Sequence, residues 1–164
     1  TNPDGINARK QQPASDNKNS EKVARIVPNS QRPQPEQLAE QKKWLASGKR
    51  IFVQARNSNS DYQYRQAAES LENAGSLLDG SGAYLLSYLY HSGLGVQADE
   101  SKALKYAQKS ANKGWPSGQY YYGHLLLLRR YPRDTVTAVQ SLRKSADQNF
   151  MLAIERLQEL GIRY

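Results

Sequence analysis

The chain has no cysteine and only two histidines, His91 and His124, among its 164 residues. The absence of cysteine excludes a disulfide framework and a thiol nucleophile, and it removes the best zinc ligands. Neither histidine belongs to an HExxH motif or a close pair with an acid, so we expect both to be surface or helix-end residues. The G-x-S-x-G motif of hydrolases is also missing. We therefore expect no catalytic residue, no metal and no cofactor, and a protein that is not an enzyme.

Bulky apolar residues are scarce as well. The chain contains 2 Phe, 2 Trp and 1 Met against 11 Tyr, and hydrophobic residues make up 38% of it. No apolar run approaches the roughly 20 residues that a membrane-spanning helix needs. The net charge of +8 suits nucleic acid, anionic lipid or an acidic protein as a partner. Because aromatic residues do not interleave with the basic ones as base stacking requires, we expect a protein partner and no nucleic acid.

Residues 1–34 are rich in Asn, Gln, Ser, Pro and Lys, and apolar residues are sparse among them. A segment of this composition cannot bury enough surface to offset the entropy that it loses on ordering. The composition therefore predicts an extended or disordered tether. The alternative is a segment that folds onto a partner, with Ile26 and Val27 as its anchors.

From Pro35 onward the apolar residues recur at helical spacing. The pattern predicts an N-terminal helix over 35–60 and a helical repeat domain over 61–164. No segment alternates with period two for long, so the predicted fold class is all-α. Asp99 and Asp134 stand where the N-caps of two helices are expected. The predicted helices of the repeat domain are 61–75, 82–93, 99–114, 116–131, 134–149 and 150–161.

The third and fourth predicted helices of the chain recur as the fifth and sixth, about 36 residues later. The motif KSANKG (109–114) returns as KSADQN (144–149), and Tyr84 aligns with Tyr120. A repeat of this period is typical of an α-solenoid built from helix hairpins. The predicted units are about 81–116 and 117–149, followed by a capping helix over 150–161.

The two helices of the first unit are joined by SGLGVQADESKAL, residues 92–104. A phosphate-binding loop is also glycine-rich, but it follows a strand and ends in Gly-Lys-Ser/Thr. Both features are missing here, so we interpret the turn as a structural elbow. Gly93 and Gly95 are expected at positive φ, Val96 is expected to fold back between the helices, and Asp99 caps the next helix. Small side chains are expected to let the two helices pack closely: Ser87, Ala103 and Ala107.

Residues 83–114 resemble a unit of the Sel-one-like repeat family, α-helical relatives of the tetratricopeptide repeats. The family pattern combines a small residue and a tyrosine in the first helix, a G-x-G-V elbow, an aspartate and a Lys-Ala-Ala-x-x-Gly ending. The next unit, 118–149, keeps Gly123 but has RRYPRD in place of the glycine elbow. The resemblance covers roughly 65–160 and implies a short α/α solenoid, which a non-globular N-terminal tail precedes. The residues expected to shape the repeats are Ser87, Gly93, Gly95, Val96, Asp99, Ala103, Ala107, Ala111, Gly114, Gly123 and Asp134.

Basic residues form two candidate partner surfaces. Lys102, Lys105 and Lys109 recur with Lys113 at spacings of three and four, which places them in one stripe on the fourth helix. The functional interpretation is contact with an acidic partner or with lipid headgroups, and the alternative is an ordinary solvated face. A second basic cluster surrounds the next elbow: Arg129, Arg130, Arg133, Arg143 and Lys144.

Tyrosines form a third candidate surface. Tyr120, Tyr121 and Tyr122 are consecutive, and neighbours on a helix lie about 100° apart, so the three cannot all face one core. At least one is expected to face solvent or a partner. The alternative is that Tyr120 and Tyr121 pack between repeats while Tyr122 shields a helix. The candidate partner-binding residues are Tyr84, Tyr88, Tyr121, Tyr122, Lys102, Lys105, Lys109, Arg129 and Arg130.

The resemblance implies a non-catalytic protein–protein adaptor or scaffold in a bacterial cell-envelope assembly, such as a secretion system or a flagellar motor. The polar tail and the first residue, Thr1 rather than methionine, favour a processed start. We therefore expect a periplasmic protein or an outer-membrane lipoprotein, associated with the membrane through a lipidated N-terminus outside the sequence. The alternatives are a periplasmic immunity protein that blocks a secreted toxic enzyme and a binder of cell-wall polymer.

Overall fold

A computed structural model describes residues 34–164, which form seven α-helices. This part of the chain contains no strand, so the predicted all-α class is confirmed. A single 3-10 turn, Gly75–Leu77, lies between the second and third helices. The tether prediction, with its anchors Ile26 and Val27, lies outside the described residues. The helices are α1 (Pro35–Ser58), α2 (Asp61–Asn73), α3 (Gly80–Ser92), α4 (Glu100–Asn112), α5 (Pro116–Leu128), α6 (Pro132–Ala146) and α7 (Met151–Glu159).

The helices pack as successive hairpins. α1 pairs with α2, α3 with α4 and α5 with α6, while α7 packs on α6. The first helices of neighbouring hairpins also contact each other, from α1 to α3 and from α3 to α5. No comparably close contact joins α2 to α4 or α4 to α6. This asymmetry is that of a curved α-solenoid, and we call the side formed by α1, α3 and α5 the inner face.

Leucine and alanine fill the core, as the scarcity of phenylalanine and methionine requires. Leu71, Leu86 and Leu89 are fully buried between the first two hairpins, and alanines surround them. A second cluster centres on Leu142 and Leu157, between α6 and α7. Small alanine side chains let helix backbones approach closely, so a chain with few bulky residues still packs densely.

The helix at the N-terminal side of the array is one arm of a hairpin. α1 and α2 pack along their lengths, and residue 60 lies in the short turn that joins them. Gly48 is buried in the middle of α1, where a Cβ would lie 2.7 Å from Cγ of Leu71. The glycine therefore allows α2 to approach α1, a benefit that its weak helix propensity does not reveal.

Equivalent hydrogen bonds close the two central hairpins. Ser110 Oγ donates to the Gly80 carbonyl at 2.6 Å, and Ser145 Oγ donates to the Pro116 carbonyl at 2.8 Å. In both hairpins a serine of the second helix reaches the first residue of the first helix. Buried hydroxyl groups of this kind need a partner, and the repeat supplies the same one twice.

The glycine elbow of the first unit has the predicted conformation. Gly93 and Gly95 adopt φ of 67° and 68°, and Asp99 Oδ1 accepts from the Lys102 amide at 2.9 Å. The elbow also docks on the preceding hairpin, because the Gly95 amide donates to Asp61 Oδ1 at 2.8 Å. Val96 packs against the core beside it. The elbow therefore joins two hairpins as well as two helices.

The predicted N-cap role of Asp134 is wrong. α6 begins at Pro132, and its N-cap is Tyr131, which makes no side-chain capping bond. Proline is favoured at the first helical position because its φ is already helical, so the helix begins earlier than the aspartate suggests. Asp134 lies within the first turn and pairs with Arg129 at 3.7 Å. At the same elbow Arg130 adopts φ of 55°, a left-handed conformation that glycine provides in the first unit.

Candidate protein-binding surface

A continuous row of aromatic side chains crosses the inner face. Phe52 of α1 meets Tyr88 of α3 with ring centroids 6.1 Å apart. Tyr84 and Tyr88 in turn meet Tyr121 of α5, at 5.6 Å and 6.4 Å. These distances are those of favourable aromatic pairs, most of them edge to face. His124 stacks between Tyr121 and Tyr120, at 6.1 Å and 5.9 Å, and Tyr120 meets Phe150 at 5.6 Å, just before α7. We call this set the inner aromatic row: Phe52, Tyr84, Tyr88, Tyr120, Tyr121 and Phe150, joined through His124.

Tyr121 is the most deeply buried tyrosine of the row, and Tyr84 and Tyr88 lie on its solvent side. Tyr121 is only 9% exposed, whereas the other two are half-buried. Burial raises the pKa of the Tyr84 and Tyr121 hydroxyls further above neutral pH. Neither Tyr84 nor Tyr88 uses its hydroxyl in a hydrogen bond to another described residue. Tyr121 therefore holds the other two rings in place from below, and Tyr84 and Tyr88 form the part of the surface that a partner can contact.

Both histidines of the chain lie against Tyr121. His91 meets its ring at 5.9 Å, edge to face, and His124 stacks on it at 6.1 Å. His124 is half-buried in the middle of α5, not at a surface or helix end as the sequence suggested. Burial, with the charges of Arg156 and His91, lowers the pKa of His124 below its ordinary 6.5. His91 and His124 are 33 residues apart in the sequence, so no local pattern indicates that they lie close together. Only the packing of α3 on α5 brings them together.

Tyr122 lies away from the inner aromatic row. It is half-buried and lines a shallow polar groove with residues of α4 and α6, including Gln108 and Gln140. Burial and the nearby Asp134 carboxylate raise the pKa of its hydroxyl. The consecutive tyrosines therefore divide between the inner face and this groove. The position of Tyr122 does not support the prediction that it binds a partner on the same surface as Tyr84.

The lysine stripe lies on α4, the second helix of its hairpin. Lys109 is half-buried, and burial together with the charges of Lys113 and Lys105 lowers its pKa, so the predicted neighbours do share one stripe. Lys102 has an internal role: its Nζ lies 4.6 Å from the centre of the Tyr90 ring and 3.3 Å from the Tyr90 hydroxyl. Part of the stripe therefore stabilises the fold.

The arginines of the second elbow pack around a tyrosine. Arg129 and Arg133 place their guanidinium carbons 4.9 Å and 5.4 Å from the centre of the Tyr131 ring. Asp134 lies 3.7 Å and 3.9 Å from the same two side chains, so this one carboxylate offsets one of their two positive charges. Arg130 is exposed beside them. These contacts give Arg129 a structural role that does not require a partner protein.

The part of the chain that the structure describes shows no metal-ligating group and no membrane-spanning candidate. No three His, Cys, Asp or Glu residues among positions 34–164 are grouped so as to hold a metal ion. None of the seven helices is both long enough and apolar enough to cross a bilayer.

Two stretches of the chain, residues 80–115 and 116–150, match the Sel1 repeat. They coincide with the α3–α4 and α5–α6 hairpins, and the family resemblance expected from the sequence is confirmed. Sel1 repeats are protein–protein interaction modules. Neither a curated protein nor a solved structure matches the chain. The hairpin of α1 and α2 and the helix α7 extend the array on either side of the matched residues.

Proposed function

Because the chain carries two Sel1 repeats within a longer α-solenoid, we propose that it is a protein–protein adaptor whose inner face binds a segment of its partner. The observation that carries this proposal is the inner aromatic row. Tyr84 and Tyr88 are half-buried there, and their hydroxyls form no hydrogen bond with the described residues. Tyrosine is enriched at the energetic centres of protein interfaces, where its ring and hydroxyl both contribute.

The support beneath these tyrosines favours binding. Tyr121 packs edge to face against Tyr84, and Phe52 packs in the same way against Tyr88. Side chains that are already held in place lose little conformational entropy when a partner binds. A tyrosine also has few rotatable bonds for the area that it offers. The inner face is therefore organised for contact before any partner arrives.

We propose further that the adaptor works in a bacterial cell-envelope assembly, such as a secretion system or a flagellar motor, in the periplasm or at the outer membrane. The polar composition of residues 1–34 and the family resemblance support this setting. A lipidated N-terminus would hold the protein at the membrane. Cell fractionation with a tagged protein tests the setting, and recovery of all the protein in the cytoplasm contradicts it.

Site-specific photo-crosslinking tests the binding surface. A photoreactive phenylalanine analogue replaces Tyr88 on the inner face or, as the matched control, Tyr62 on α2, which is 66% exposed. The proposal predicts a discrete crosslinked partner from position 88 in native cells and none at comparable yield from position 62. Equal yields from both positions, or a product only from position 62, would contradict an inner-face binding site.

A further inference from the structure

The charges around the inner aromatic row are positive. Arg56 is exposed on α1, one helical turn after Phe52, and its charge opposes the rise that burial and neighbouring tyrosines cause in the pKa of Tyr84. At the other end of the row, the Arg156 charge on α7 acts on His124. No carboxylate of the described residues contributes to the pKa shifts of Tyr84, Tyr121 or His124. An acidic partner would therefore find a cation at each end of the row, of which Arg156 already contacts Glu159 on its own helix.

Polar atoms at the α7 end lack partners. Nδ1 of His124 and Nε of Arg156 are both buried, and neither forms a hydrogen bond with a described residue. The Arg156 side chain keeps one contact, from Nη1 to Glu159 Oε2 at 2.7 Å. Buried nitrogen atoms are nearly always hydrogen-bonded in folded proteins, so the α7 end of the row holds polar groups that the described residues leave unsatisfied.

Each cation has an exposed apolar neighbour on its own helix. Val53, 58% exposed, precedes Arg56 by three residues, and Leu152, 51% exposed, precedes Arg156 by four. These spacings place each pair on one side of its helix. A partner segment that reaches either arginine therefore has an exposed apolar side chain beside the charge, which suits a peptide better than a polymer of uniform charge.

From these contacts we propose that the inner face selects an acidic peptide segment, whose carboxylates pair with Arg56 and Arg156 and whose apolar side chains lie on Tyr84 and Tyr88. This inference rests on the proposed function and names the chemical class of the partner. The net charge of +8 supports it, because opposite overall charges speed association and disfavour basic competitors. A single-stranded nucleic acid is less well matched, since Phe52–Tyr88 and Tyr84–Tyr121 pack edge to face, and each such pair covers a ring face on which a base would stack.

A displayed library of random 12-residue peptides tests the selectivity on the whole chain. The test variant is R56Q/R156Q, and the matched control is K105Q/R143Q, which removes two exposed charges from the second helices α4 and α6. Selected peptides should be enriched in Asp and Glu over the starting library. Their affinity should fall at least about tenfold with the test variant and less than about twofold with the control. The single change Arg56→Gln, at an exposed residue, should weaken binding in the same direction even if the double variant folds poorly.

The outcomes separate this inference from the function on which it rests. Selected peptides that need Tyr84 and Tyr88 but are not acidic, or that bind the Arg56→Gln variant as tightly as the original, overturn the acidic selectivity alone. A 20-nucleotide single-stranded oligonucleotide that binds the row more tightly than any selected peptide does the same. Peptides that bind without Tyr84 and Tyr88, or a failure to select any peptide, contradict inner-face binding as well.

Discussion

The hydroxyl of Ser110 occupies the space that a side chain on Gly118 would need, because a Cβ at position 118 would lie 1.9 Å from Ser110 Oγ. This contact joins α4 of the first Sel1 repeat to α5 of the second. The same hydroxyl donates to the Gly80 carbonyl at 2.6 Å, so it is not free to move aside. The stacking of one repeat on the next therefore depends on the absence of a side chain at position 118.

Gly118→Ala should reduce the free energy of unfolding by at least about 2 kcal/mol, since a methyl group there displaces Ser110 or separates the two repeats. Urea denaturation followed by circular dichroism measures the loss. Ser117→Ala, at the half-buried neighbouring position, should change stability by less than about 0.5 kcal/mol. Similar stabilities for both variants would show that the repeats are spaced more widely than described.

Gly95→Ala should destabilise the protein more than Gly114→Ala does, although both glycines have positive φ, 68° and 74°. A Cβ at Gly95 would lie 2.2 Å from the Arg65 amide nitrogen, whereas one at Gly114 would meet no atom within 4 Å. Gly114→Ala therefore costs only the left-handed strain, about 1–2 kcal/mol. We expect Gly95→Ala to cost at least about 2 kcal/mol more in thermal or urea unfolding. Equal losses would mean that the elbow does not dock on α2.

Tyr90→Phe should remove about 1.5–3 kcal/mol of stability at pH 7, because the Tyr90 hydroxyl donates to Glu72 Oε1 at 2.6 Å and bonds to charged groups are strong. Tyr106→Phe is the control, since that hydroxyl lies 3.5 Å from the same carboxylate, and it should cost less. Urea unfolding of the two variants beside the original protein gives the comparison.

Tyr90→Phe should also change how stability depends on pH in the alkaline range. Burial and the Glu72 carboxylate raise the pKa of Tyr90 above its ordinary 10.0. The unfolded chain therefore loses this proton first as the pH rises through about 10, and the stability that the raised pKa provides below pH 10 is lost above it. The stability of Tyr90→Phe should fall less between pH 9 and 11 than that of the original protein. Parallel curves would contradict the hydrogen bond to Glu72.

His124→Gln should flatten the acid side of the stability curve. Because the folded pKa of His124 lies below its ordinary 6.5, the unfolded chain binds the proton first as the pH falls. The contribution is complete above about pH 6.5 and is lost as the pH falls from there towards the folded pKa. Titration of the ring by nuclear magnetic resonance gives the folded pKa directly. A value above 6.5 would contradict the half-buried position beside Arg156.

The sequence predicts the repeat well because its signals are local. Gly93, Gly95 and Asp99 fix backbone conformations within one elbow, and their spacing reveals the two helices on either side. The beginning of α6 was misplaced because two local signals compete there, and Pro132 outweighs Asp134. Neither case needs knowledge of how the hairpins stack.

The binding surface is harder to predict because it forms between hairpins. Tyr84 and Tyr121 meet only where α3 lies beside α5, and periodicity along one helix does not reveal which residue of the next helix is opposite. The sequence therefore predicted which tyrosines form the surface but not how deeply each is buried, and it did not predict that His124 lies among them. It also weighted the lysines of α4 equally with the tyrosines, although Lys102 packs on Tyr90.

The most direct test of the account is the affinity of the partner identified by crosslinking for the original chain, for the variant Y84A/Y88A and for Tyr62→Ala on α2. Circular dichroism melts establish that each variant is folded at the temperature of measurement. Binding through the inner aromatic row predicts a loss of at least about tenfold for Y84A/Y88A and less than about twofold for Tyr62→Ala. Unchanged affinity of a folded Y84A/Y88A variant would contradict the central claim that the inner face is the binding site.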